Sequence, residues 1–145
     1  MKKLLSLLLT CIIVVLCSSC QTNDNADNVD YSKLNYEKIS LNTIYQEYKS
    51  NKLRAEEIYI GKYVCVSADV FGIYDGFISL HEYQYNSSGM KTGYDDAWCK
   101  IMDDSLKDKM MQLNEGDKIT VKGKITSLSS TGDFQVNIDV YFIED

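Results

Sequence analysis

His81 is the only histidine of the chain, so any general base or imidazole metal ligand has to be that residue. Its neighbour Glu82 invites an acid–base pair. Adjacent residues of a strand point to opposite faces, so the two do not converge. Asp95-Asp96 and Asp103-Asp104 share that defect and lack the spacing of a calcium loop. A serine or cysteine nucleophile needs a base beside it, and His81 alone could serve. The residue types therefore argue against an enzyme and imply no cofactor and no metal. The aromatics say more. Alternation puts Phe77, Ser79, His81 and Tyr83 on one face of a strand, and Trp98, Lys100 and Met102 on the matching face of the next. Tyr74 stands in the turn that leads into the first of these strands. Rings beside cations can stack flat groups such as bases or sugars. The same rings could instead pair across strands and cover a core. Tyr74, Phe77, His81, Tyr83, Trp98 and Lys100 are the ligand-binding candidates.

The elements that must position them are legible from periodicity. Ser40 is an N-cap, and Leu41, Ile44, Tyr45 and Tyr48 follow at helical spacing. Asn51 interrupts, and residues 53–59 make a second short helix. From Lys62 the period becomes two. Val64, Val66, Ala68 and Val70 alternate with Tyr63, Cys65, Ser67 and Asp69 in a half-buried strand. Tyr74-Asp75-Gly76 is a turn. Residues 77–83 are a second strand, 86–93 a polar loop and 97–102 a third strand. Leu106, Met110 and Leu113 mark a one-sided helix. Ile119, Val121, Gly123 and Ile125 make a fourth strand. After a turn over 129–133, Phe134, Val136, Ile138, Val140 and Phe142 make a fifth. Three strands, a helix and two strands is the order of the OB-fold, a five-stranded Greek-key barrel with its helix between strands three and four. The fold class is thus mainly β, preceded by a helical segment. Gly72 and Gly123 suit the bends of a small barrel. An open α+β sheet is the alternative.

Two stretches carry a family resemblance. The first runs from Asn51 through Ala55, Tyr59, Gly61, Lys62 and Val64 to Val66. The second is Gly116-Asp117, Ile119, Val121 and Gly123. Both resemble the tRNA_anti-like family of exported bacterial OB-fold proteins, over residues 39 onward. The resemblance implies the OB-fold, whose recognition surface is the face of strands two and three with the flanking hairpin loops. It implies nucleic-acid binding only by analogy of fold, and fold does not set function. Val140 stands near where the family often has a cysteine, so no disulfide of Cys99 follows from it. Cys65 and Cys99 could be paired or free.

Residues 1–20 supply an address. Lys2 and Lys3 precede an apolar run over 4–16, and Ser18-Ser19-Cys20 follows. That is a secretory signal whose last cysteine resembles the lipobox of bacterial lipoproteins. The run is too short for a permanent membrane span. The expected organisation is a signal peptide over 1–19, a flexible tether over 20–39 and an OB-fold domain with N-terminal helices over 40–145. Cys20 is the predicted lipidation site, and the membrane is then a partner through that lipid. The chain has 15 basic and 21 acidic side chains. Loss of Lys2 and Lys3 leaves a formal −8, which makes nucleic acid an unlikely partner because its affinity rests on neutralised phosphates. Lys118, Thr120, Lys122 and Lys124 share one face, which reads as a solvated face rather than an anion site. The expected function is an envelope-anchored, non-catalytic OB-fold binding module for a protein, a peptide or a small envelope ligand. Single-stranded nucleic acid is the alternative, and an enzyme comes third.

Overall fold

The computed structural model describes residues 29–130 and 134–144. The chain divides into Met1–Asp30 and Tyr31–Asp145. The expected signal peptide and Cys20 lie outside the described residues, and so does most of the expected turn over 129–133. In the first unit only Val29 and Asp30 are described, and neither belongs to a helix or strand. No described helix is long and apolar enough to cross a membrane.

The second unit begins with a 3-10 turn over Tyr31–Lys33 and a short strand β1 (Glu37–Lys38). Helix α1 (Leu41–Ser50) follows, and its N-cap Ser40 accepts from the Thr43 N–H at 3.0 Å. Asn51 closes α1 through its own N–H to Glu47 O and caps α2 (Lys52–Tyr59) by accepting from the Arg54 N–H. One asparagine thus ends α1 with its backbone and starts α2 with its side chain, so two short helices form in place of one. Leu41, Ile44, Tyr48, Ala55 and Tyr59 are buried.

The remaining strands are β2 (Tyr63–Tyr74), β3 (Phe77–Tyr85), β4 (Lys91–Ile101), β5 (Lys118–Ser129) and β6 (Gln135–Glu144). Between β4 and β5 lie a 3-10 turn over Asp104–Leu106 and a single helical turn α3 (Lys107–Met110). The one-sided helix read from Leu106, Met110 and Leu113 is therefore shorter than its spacing predicts, although Met110 is buried and the two leucines pack against the core.

The sheet is mixed and has six strands in the order β1-β2-β3-β4-β6-β5, with a further pairing of β2 to β5. This corrects the expectation of five. The added strand is β1, which pairs in parallel with Val64 and Cys65 of β2. The predicted tether over 20–39 is corrected at its described end for the same reason. Ile39 donates to Cys65 O at 3.1 Å, and Tyr31 stacks on Tyr141 at 3.7 Å. Pairing partners and ring contacts hold a segment that has little apolar periodicity of its own. Besides β1, β2 is long enough to serve two further neighbours: residues 63–69 pair with β5 and residues 69–74 with β3.

Val64, Val66, Ile78, Leu80, Ala97, Cys99, Val121, Ile125, Val136, Ile138 and Val140 interlock in one buried cluster. Gly123 is required where β5 and β6 cross closely. A Cβ there would stand 2.4 Å from the Asp139 carbonyl oxygen and 2.6 Å from an Ile138 methyl. The register shifts at this point, between Lys122 and Gly123. That shift corrects the inward position read for Phe142. An extra residue in β6 reverses the alternation, so Ile143 is buried and Phe142 only half-buried.

Candidate functional site

The outer face of β2, β3 and β4 gathers the aromatic side chains. Cross-strand register sets Phe77 opposite Lys100, Ser79 opposite Trp98, His81 opposite Asp96 and Tyr83 opposite Tyr94. Directly opposed residues share a face, so all eight project the same way. Tyr74 is the last residue of β2, and the two-residue turn Asp75-Gly76 leads back into Phe77. Gly76 has φ 75°, which suits the left-handed backbone of such a turn. The structure thus brings Tyr74, Phe77, His81, Tyr83, Trp98 and Lys100 onto one surface. Met102 leaves it. It follows the end of β4, donates its N–H to Val140 O and lines a separate cavity with Tyr31 and Tyr141.

Two rings belong to this surface that the periodicity left out, Phe71 and Tyr94. Phe71 is the extra residue of a bulge between Val70 and Gly72 in β2. The bulge lets Phe71 and Tyr74, three residues apart, both face outward while Ile73 packs against the core. Tyr94 lies in β4, which begins six residues earlier than predicted. Counting back by twos from Trp98 through Asp96 reaches Tyr94, and counting on from Asp69 reaches Phe71. The signal was present in both strands.

The rings form two stacks. In the first, His81 lies between Phe71 and Tyr94, with centroids 3.9 and 4.0 Å away and planes within 14° and 12°. Its Nε2 stands 3.2 Å from Asp96 Oδ1, and Ser79 Oγ donates to the same oxygen at 3.3 Å. Burial between the rings holds the imidazole below the usual histidine range, against the opposing pull of the Asp96 carboxylate. In the second stack Tyr74 lies on Trp98 at 5.4 Å and 19°, with Phe77 edge-on to the indole. Phe71, Tyr74, Phe77 and Tyr94 remain 50, 48, 38 and 44 % exposed, whereas His81 is 4 % exposed. His81 is therefore the filling of a stack, and the rings around it are the surface.

Charges on this surface alternate in sign. Lys91 Nζ sits 3.4 Å over the Tyr83 ring, and Lys118 pairs with Asp69 at 3.4 Å. Two shallow cavities of about 420 Å³ border Tyr83 and Asp69. One adds Phe71, Lys91 and Glu115, and the other Ser40, Ser67 and Lys118. Glu82 points away, as its place beside His81 requires. Its carboxylate accepts the N–H groups of Leu41 and Asn42 and so caps α1. Asp95, also turned inward, accepts from Asn42 Nδ2 and Gln84 Nε2.

Of the other candidate groups, Cys99 is buried, Cys65 is half-buried and the β5 lysines have neighbours of their own. Cys65 and Cys99 are both free thiols. Burial pushes the Cys99 thiol far above its ordinary range, so it holds its proton. Lys122 pairs with Glu144, and Lys124 lies over the Tyr63 ring, so the basic face of β5 is largely matched by its own neighbours. Among the described residues no group of His, Cys, Asp or Glu is placed to hold a metal ion.

A sequence model of the family described as tRNA_anti-like matches residues 1–138. No curated protein matches the chain. Among solved structures the chain is similar to a Klebsiella pneumoniae lipoprotein whose name proposes nucleic-acid binding, with 14 % identity and a TM-score of 0.49 over 80 % of this chain and 100 % of that one. It is similar to a small single-stranded DNA-binding protein of Streptomyces coelicolor, with 15 % identity and a TM-score of 0.43 over 59 % and 93 %. It is also similar to the telomere capping protein Ten1 of Saccharomyces pombe, with 13 % identity and a TM-score of 0.43 over 77 % and 81 %.

Proposed function

The chain belongs to the tRNA_anti-like family, and from that premise we propose an exported, lipid-anchored OB-fold module that binds an extended peptide segment of an envelope protein without chemistry. The cycle of pairings from β2 through β3, β4, β6 and β5 back to β2 supports the OB barrel. The single observation that carries the binding reading is the aromatic surface, where Phe71, Tyr74, Phe77 and Tyr94 are all more than a third exposed on one face. Apolar rings left in water on a small domain are surface that a partner can cover.

The charge pattern favours a peptide. A phosphate chain gains its affinity from clustered cations. Here Lys91, Lys100 and Lys118 are interspersed with Asp69, Asp96 and Glu115 around the same rings. A peptide, with side chains of either sign, meets such a surface without repulsion. Catalysis has little to work with, since His81 is covered on both ring faces and its Nε2 faces Asp96. Export and anchoring rest on Lys2-Lys3, the apolar run and Ser18-Ser19-Cys20. Single-stranded nucleic acid is the second reading, favoured by the positions of Lys91 and Lys100 beside exposed rings.

The test is a titration of the purified chain, read by Trp98 fluorescence, with phenylalanine-containing unstructured peptides and with oligothymidylate. The reading expects saturable peptide binding that tolerates moderate salt, and oligothymidylate binding that vanishes with it. Tight, salt-resistant oligothymidylate binding would replace it with the second reading.

A further inference from the structure

Across the aromatic surface runs one row of opposed residues, Gly72, Ser79 and Trp98. Gly72 has no side chain, and the Tyr74 ring occupies the space over it. A Cβ placed on Gly72 would meet Tyr74 Oη at 2.7 Å and Cε2 and Cζ at 3.0 Å. Gly72 does not have a positive φ, so its backbone would accept alanine and the missing side chain is what the position supplies. Tyr74 is thereby folded back over Gly72 and stacked on Trp98, yet it stays 48 % exposed. Trp98 is half-buried beneath it.

We infer that Gly72 is a positioning residue that seats Tyr74, and that Tyr74, with Trp98 as its backing wall, is the ring a flat ligand group meets. The second half rests on the binding reading above; the first does not. The bulge at Phe71 makes the seat possible, because it brings Gly72 and Tyr74 onto the outer face together. The lone tryptophan, an obvious stacking candidate, then acts from behind: one of its faces is already taken by Tyr74. A flat group adding to the stack extends it on the free side of the tyrosine.

The experiment compares the wild type with Gly72→Ala, Tyr74→Ala and the double variant, each as the full chain. Without ligand, near-ultraviolet circular dichroism and Trp98 emission report the stack. Gly72→Ala is expected to give the Trp98 spectrum of Tyr74→Ala. It is also expected to lower the urea midpoint in the presence of Tyr74 and leave it unchanged in the Tyr74→Ala background, which a general packing defect would not do. A Gly72→Ala protein with the wild-type spectrum, or with the same midpoint loss in both backgrounds, overturns the seat. With a phenylalanine-containing peptide as probe, Gly72→Ala and Tyr74→Ala should each weaken binding at least tenfold. Wild-type affinity in Tyr74→Ala overturns its ligand-facing role. If the wild type binds no probe peptide, the binding reading and that role fall together, and the ligand-free spectra still decide the seat.

Discussion

The His81 ring lies parallel to the Tyr94 ring at 4.0 Å, and this contact makes a titratable group part of a hydrophobic stack. Burial lowers the imidazole's proton affinity in the folded chain. The unfolded chain takes up that proton near pH 6.5. Below this pH the unfolded state therefore binds more protons, and stability falls as pH drops toward the folded-state value. The contribution is fully present above about pH 6.5. Urea denaturation between pH 7.5 and 5 should show this loss. His81→Phe, which keeps a ring in the stack but carries no proton, should flatten the dependence over the same range. An equal slope in both proteins would remove His81 as its source.

The core prediction concerns residues of the paired strands β5 and β6. Val121 is fully buried and Ile138 nearly so, and truncating either to alanine should cost on the order of 1–4 kcal/mol. Lys122→Ala, which removes a surface pair with Glu144, should stay within about 0.5 kcal/mol. Gly123→Ala should cost about 1–3 kcal/mol, because the new methyl meets the Asp139 backbone and not a yielding side chain. Chemical denaturation ranks the four, and a Lys122→Ala loss above that of Val121→Ala would refute the register.

These same residues show what could be read from the chain alone. Ile119, Val121, Gly123 and Ile125 face inward as alternation predicts, because β5 is paired along both edges, by β2 and by β6, and turns that face to the core. Alternation fails at Phe142, where one extra residue in β6 reverses the sides, and no local signal marks such a bulge. Phe71 and Tyr94 escape for a different reason. Each continues the parity of its strand, but β2 runs on past Val70 through a bulge and β4 begins at Lys91, inside a stretch whose polarity suggests a loop. β1 and the Glu82 cap were out of reach. Both depend on partners 27 and 41 positions away, Glu37 with Val64 and Leu41 with Glu82, which periodicity does not encode.

Glu82 offers a further test. Its carboxylate accepts two N–H groups at the start of α1 and complements the helix dipole there. Glu82→Ala should cost about 0.5–2 kcal/mol, whereas an exposed helix residue such as Glu57 should be nearly neutral when changed to alanine. Amide exchange at Leu41 and Asn42 should accelerate in the Glu82 variant. Unchanged exchange at both would mean the carboxylate is dispensable to the helix start.

Lipidation is tested at Cys20. In a bacterial host, radiolabelled fatty acid should enter the wild-type chain and not Cys20→Ala, and the variant should leave the membrane fraction. A wild-type chain that never takes up label would end the anchored reading and leave the proposed binding surface untouched.

The central claim is that the outer face of β2, β3 and β4 is the binding surface. Aromatic side-chain NMR of the chain, titrated with a phenylalanine-containing peptide, tests it most directly. The account predicts that the ring signals of Tyr74, Phe77, Tyr83, Tyr94 and Trp98 shift together and saturate at one ligand concentration. The rings of Tyr31, Tyr63 and Tyr141, which cluster with one another away from these stacks, should stay where they are. Saturable shifts confined to Tyr31, Tyr63 and Tyr141 would contradict it.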